Sequence, residues 1–172
     1  MEGCVGSCGL MQPSLFCCID PGASGGYVLR RPDGKVVELA AYHESGDIVK
    51  LCAFLKANNV SVFPVVGVIE RVWASPVMGV AAAFAFGENF GAWVMALKVS
   101  GMPVYGVTPQ AWQKVSAPQI GGQGPERKRA LKALAVERYP ELKPTLAICD
   151  ALLISDYAVA QLKAGKALGD EL

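Results

Sequence analysis

Three acidic residues stand apart from the other charges of this chain and could work together. Asp20 follows the apolar run at 15–19, and Glu70 follows the apolar run at 65–69. Asp150 is the charged group within Ile148-Cys149-Asp150-Ala151-Leu152-Leu153-Ile154. A carboxylate at the end of a buried strand is costly to desolvate unless a cation or hydrogen bonds compensate. Each acid also has an ordinary explanation: a strand-terminal acid can face water, and an acid in a first helical turn complements the helix dipole. Three isolated acids on separate elements, all reaching one rim, would hold hard divalent cations through oxygen. Two such ions about 4 Å apart activate a water and stabilise the leaving oxygen in phosphodiester cleavage.

A second group is basic and aromatic. Arg127, Lys128, Arg129 and Lys132 cluster after the Gly-rich segment 116–125, which reads as a mobile loop. They would bring positive charge beside a phosphate backbone at the start of a helix, although a solvated helix face gives the same pattern. Trp73, three residues after Glu70, is either a core residue or an aromatic face able to separate bases and replace their lost contacts. Trp93 and Trp112 read as packing residues, and His43, without an acidic or Cys partner nearby, as a surface residue. Cys4 and Cys8 have zinc-like spacing but no second Cys or His pair, and the scattered cysteines read as reduced thiols of an intracellular protein.

The elements that must carry these residues follow from local patterns. The run 15–19 with its turn residues reads as a buried first strand. Segments 27–31 and 35–42 flank Arg31-Pro32-Asp33-Gly34 as a hairpin, so strands one to three form an antiparallel meander. A crossover helix at 47–57 precedes the strand 65–69. Ser75 and Pro76 suit the N-cap and N1 positions of a long apolar helix reaching about Val99. A fifth strand at 102–107 leads to a short helix capped by Thr108-Pro109, which carries Trp112 and Lys114. Helices at 126–139 and 147–164 complete the order β-β-β-α-β-α-β-α-α, the short helix left out of the count. That order predicts a five-stranded mixed sheet flanked by helices, with ligands gathering beyond the ends of its central parallel strands.

Ile19-Asp20-Pro21-Gly22, Ile69-Glu70-Arg71-Val72-Trp73 and Asp150-Ala151-Leu152-Leu153-Ile154 resemble, in order and spacing, the acidic motifs of RuvC-like Holliday-junction resolvases. Gly22-Ala23-Ser24-Gly25-Gly26 is closer to the phage and organelle branches than to the common bacterial enzyme. The resemblance covers about 15–157. It implies an RNase H-like fold, a homodimer, dependence on Mg2+ or Mn2+, and symmetrical nicking of four-way junction DNA. It further implies that Asp20, Glu70 and Asp150 are catalytic metal ligands. Lys128 would approach the scissile phosphate, Lys114 would be a second family lysine, and Trp73 would stack into the junction centre. One departure matters: Ala147 stands where the bacterial family has a further aspartate. This is either a natural three-carboxylate site or a disabled one, and Asp156 points too far round its helix to substitute.

With 172 residues and 18.1 kDa the chain suits one nuclease domain at 15–165, between a flexible tail at 1–14 and a C-terminal tail at 166–172. Sixteen basic against fifteen acidic residues leave +1, so nucleic-acid contact must come from local clustering. The uncharged stretch 72–87 is broken by Ser75 and Pro76 and closed by Glu88, shorter than the ~20 apolar residues a bilayer needs, so the reading is a soluble protein without membrane contact. In the long helix Gly79, Ala83, Gly87 and Gly91 form a smooth stripe, and surplus apolar residues including Met78, Phe86 and Phe90 point to a subunit interface. Two other readings stand beside the nuclease. One is a junction-binding protein without catalysis. The other is a nucleotide-binding domain of the actin and sugar-kinase group, whose first strand also ends in Asp before a Gly-rich turn.

Overall fold

Gly34 adopts a positive φ of 98°, and Arg31 N–H donates to Lys35 O at 2.9 Å, so the turn chemistry at 31–34 closes the expected hairpin. The hairpin strands are β2 (Gly26–Arg30) and β3 (Val36–Ala41), and β2 pairs antiparallel with β1 (Leu15–Asp20). The computed structural model describes residues 13–57, 64–74 and 78–172. Beyond the meander lie α1 (Ser45–Ala57), β4 (Val65–Glu70), α2 (Val80–Val99), β5 (Val104–Val107), α3 (Pro109–Ser116), α4 (Gly124–Arg138) and α5 (Cys149–Lys163). Thr108 caps α3 as expected, its hydroxyl accepting from Ala111 N–H at 3.2 Å. The tail at 1–12 with Cys4 and Cys8 lies outside the described residues, as do Ser75 and Pro76; that pair does not cap α2, which starts later, at Val80, with Gly79 at its N-cap.

The sheet runs β3-β2-β1-β4-β5-β6, one strand more than expected. The extra strand is β6 (Asp170–Glu171), within the segment read as a C-terminal tail. Two charged residues carry no periodicity. They pair because the far edge of β5 offers open backbone groups: Glu171 lies opposite Tyr105, Leu172 N–H donates to Val104 O at 2.9 Å, and Asp170 binds Arg71 at 2.6 Å.

Side-chain alternation splits the core into two layers. Phe16, Cys18 and Val68 pack with Trp112, Leu131, Leu153 and Ile154 beneath α3, α4 and α5. On the other face Cys17, Ile19 and Ile69 pack with Leu51, Trp93 and Leu97 of α1 and α2. Asp156 is held away from the sheet end by Arg30, Arg138 and the Tyr139 hydroxyl, so it serves the packing of α5 on β2.

Helix α2 turns only a narrow stripe inward, through Asn89, Trp93 and Leu97. Its outer face carries Val80, Phe84, Met95 and Val99, all largely exposed. Gly87 and Gly91 lie on that outer face, where an added Cβ would meet nothing within 4 Å. Phe86 and Phe90, expected among the surplus, are instead half-buried. By length and composition α2 is long and apolar enough to cross a bilayer, a window that the reading of 72–87 did not test.

Candidate active site

The even positions of β1 and β4 face the layer of α3, α4 and α5, and parallel pairing puts Cys18 beside Val68 and Ile19 beside Ile69. The next residue on each strand is an acid. Asp20 and Glu70 therefore leave adjacent strand ends toward the same layer, at the point where antiparallel β2 and parallel β4 flank β1. Asp150 enters from the first turn of α5, which starts after Ile148 without a side-chain cap. Its side chain and that of Asp20 are only 12% and 13% exposed. Three carboxylates from three elements thus line the same cleft.

Lys128 of α4 sits between two of them. Its Nζ lies 2.5 Å from Asp150 Oδ2 and 3.6 Å from Asp20 Oδ2. Glu70 has a different partner: the buried Trp112 of α3 donates its Nε1–H to Glu70 Oε2 at 2.6 Å. Burial pushes the Asp20 carboxyl well above its ordinary range, and the charges of Asp150 and Glu70 add to this against Lys128. Burial likewise lifts Glu70 to about 7, helped by Asp150 and opposed by the Trp112 hydrogen bond and Lys128. For Lys128 burial disfavours the charge, but Asp20 and Asp150 outweigh it, so the ammonium is held more firmly than usual.

The cleft these groups line has a volume of about 640 Å³, with Met78 and Phe86 on its apolar wall. The loop after Asp20 folds tightly because Gly22 takes a positive φ of 122° and a Cβ on Gly25 would come 2.0 Å from Asp20 O. Asn89 of α2 fixes that loop, its Oδ1 accepting from Gly22 N–H at 2.7 Å. Among the described residues no three His, Cys, Asp or Glu side chains are grouped to hold a metal ion. The donor chemistry nevertheless fits a hard cation: all three carboxylates offer oxygen, and the mostly buried Asp20 has no ion-pair partner among the described residues except the Lys128 ammonium.

The remaining predicted residues surround this centre differently. Arg127 turns back to Gly122 O and the Gln113 side chain, tying the Gly-rich segment to α3. Arg129 is exposed, Lys132 half-buried one turn beyond Lys128, and Lys114 exposed on α3. Trp73 is not a core residue: it is 58% exposed, with the Arg71 guanidinium 5.9 Å from its ring centroid. Ala147 is half-buried in the turn that leads into α5, and it brings no charge to the site. Trp112 and Asn89 were missed as site residues. Burial of Trp112 was legible, but an indole in a core usually seeks an acceptor, and that was the available signal.

No protein-family model and no curated protein matches the sequence. Among solved structures the chain is similar to RuvC of T. thermophilus in complex with a Holliday junction substrate. That likeness has a TM-score of 0.58 and 18% identity over 92% of this chain and 99% of that one. A second Thermus thermophilus RuvC structure gives a TM-score of 0.53 and 19% identity over the same shares of both chains. The chain has the RNase H-like fold seen in RuvC.

Proposed function

We propose that this chain is a divalent-metal-dependent endonuclease that resolves four-way DNA junctions by hydrolysing phosphodiester bonds in paired strands. The observation that carries the reading is the convergence of Asp20, Glu70 and Asp150 at the strand ends of a RuvC-type fold. Asp20, Glu70 and Asp150 would hold Mg2+ or Mn2+, two ions per site. Bound there, such ions lower the pKa of a water to make a nucleophile and stabilise the leaving oxygen. Trp112 orients the Glu70 carboxylate through its single donor, and Asn89 keeps the loop beside Asp20 in place. Lys128 lies where its charge can meet the scissile phosphate. Lys114, Arg127, Arg129 and Lys132 supply positive charge to the DNA backbone, with Arg127 acting mainly by shaping the loop. The exposed Trp73 is free to stack on bases at the junction centre.

Pairing of cuts asks for two sites, and the apolar face of α2, exposed among the described residues, supports a two-fold dimer; the reading takes the protein as soluble and intracellular. One observation favours a second reading, a protein that binds junctions without cutting them: position 147 carries Ala, so the site has three acids and not four. A nicking assay on a synthetic four-way junction, with and without Mn2+, decides between them. Paired nicks that need the metal support the resolvase. Junction binding with no nicks, together with nicking gained in Ala147→Asp, supports the disabled form. Absence of junction binding overturns both.

A further inference from the structure

Lys128 occupies the gap that a cation bridging two of the acids would need. Its ammonium is 2.5 Å from Asp150 and 3.6 Å from Asp20, and those carboxylates have no other ion-pair partner among the described residues. The side chain is 35% exposed, so its tip borders the cleft and is not sealed in the core. Its backbone is fixed, because Leu131, Leu134 and Ala135 anchor α4 in the core, whereas the four-carbon stem can rotate. Arg127 cannot take over this position, since its guanidinium is engaged with Gly122 and Gln113.

We infer that Lys128 is the resident counter-ion of the Asp20 and Asp150 pair, and that a divalent ion enters the site by displacing its ammonium toward the cleft. This rests on the metal-dependent reading above. Two cations cannot share the gap without strong mutual repulsion at such separations, so ion entry and lysine exit are one exchange. The exchange delivers a positive charge to the cleft when the carboxylates are loaded, where a phosphate would lie. Lys128 is then a coupling residue between metal binding and engagement of the DNA backbone. A static phosphate-binding lysine would instead keep its place with or without metal.

The test needs no variant in its first arm. The full-length protein is treated with acetic anhydride without DNA, with and without Mn2+, and lysine acetylation is read by peptide mass spectrometry. Lys128 should label several-fold faster with Mn2+, while Lys114 and Lys132 serve as internal references whose labelling stays constant. In the second arm Mn2+ binding is followed by the electron-spin-resonance signal of the free ion. Lys128→Met should bind Mn2+ at least about tenfold more tightly than the unaltered protein. Bound Mn2+ with unchanged Lys128 labelling overturns the exchange and leaves the metal-dependent reading intact. If neither the unaltered protein nor Lys128→Met binds Mn2+, both the exchange and the metal-dependent reading are overturned.

Discussion

Replacing Trp112 by Phe deletes one hydrogen-bond donor and keeps most of the buried ring, which makes it a sensitive probe of Glu70. The bond runs from the indole Nε1–H to Glu70 Oε2 at 2.6 Å and opposes the burial that lifts this carboxyl to about 7. A hydrogen bond to a charged group is worth about 1.5–3 kcal/mol, and 1.36 kcal/mol moves a pKa by one, so loss of the donor raises Glu70 by a further ~1–2. At pH 7 the ionised fraction falls from about half to roughly 1–10%, and nicking at subsaturating Mn2+ falls by about 5- to 50-fold. The sign is definite: the lost bond favoured the anion, so activity returns as pH is raised toward 9. The assay is the pH profile of junction nicking for both proteins at fixed Mn2+, with thermal unfolding measured in parallel. The smaller ring alone costs stability through a cavity, about 1–3 kcal/mol, and leaves the pH profile unmoved. If the acid limb of Trp112→Phe coincides with that of the unaltered protein while stability drops, Trp112 is a packing residue only and the assigned role is wrong.

Asp20→Asn, Glu70→Gln and Asp150→Asn should each abolish nicking while junction binding measured by gel shift persists, because an amide cannot replace an anionic ligand. The metal-free protein should grow more stable as pH falls from 8 to 5.5. Glu70 titrates near 7 in the fold against an ordinary 4.5, so its share is full at low pH, is lost as pH rises through 7, and amounts to about 2 kcal/mol over that window. Asp20 acts in the same direction, and thermal melts of Glu70→Gln should show a visibly flatter pH dependence. Gly87→Glu meets open space within the subunit, so circular dichroism should report an intact fold while sedimentation reports a weakened dimer. A monomeric unaltered protein at micromolar concentration that still makes paired cuts in a cruciform plasmid would remove α2 from the assembly.

What was legible in the sequence was local. Pro32 and Gly34 specify a hairpin within a few residues, Thr108-Pro109 specify a helix start, and the continuous apolar runs 15–19 and 65–69 specify buried strands. The ends of those strands put Asp20 and Glu70 on the page before any tertiary contact was known. The sixth strand was not legible, since Asp170 and Glu171 pair only because β5 leaves an edge open 63 residues or more earlier in the chain. The phase of α2 was hidden for another reason. A helix that is apolar nearly all round carries no moment to say which side faces the sheet, so Phe86 and Phe90 read as surplus when Val80, Phe84, Met95 and Val99 are the exposed ones.

The site shows the same boundary between local and tertiary signals. An acid at a strand end announces that something must compensate its burial, but not what compensates it. The compensation here comes from α3 and α4, through Trp112 for Glu70 and Lys128 for Asp20 and Asp150. Lys128 was legible as one of the basic cluster at 127–132, but only the family resemblance singled it out there, and Trp112 was set aside as packing because its burial was the stronger cue. Both partners lie on the layer that the even positions of β1 and β4 face, so they could not have been assigned until strand register had decided which layer that is. Register is therefore the physical link between the sequence and the chemistry. A slip of β4 against β1 by one residue would send Glu70 to the α2 face, separate it from Trp112 and leave its charge buried without a donor.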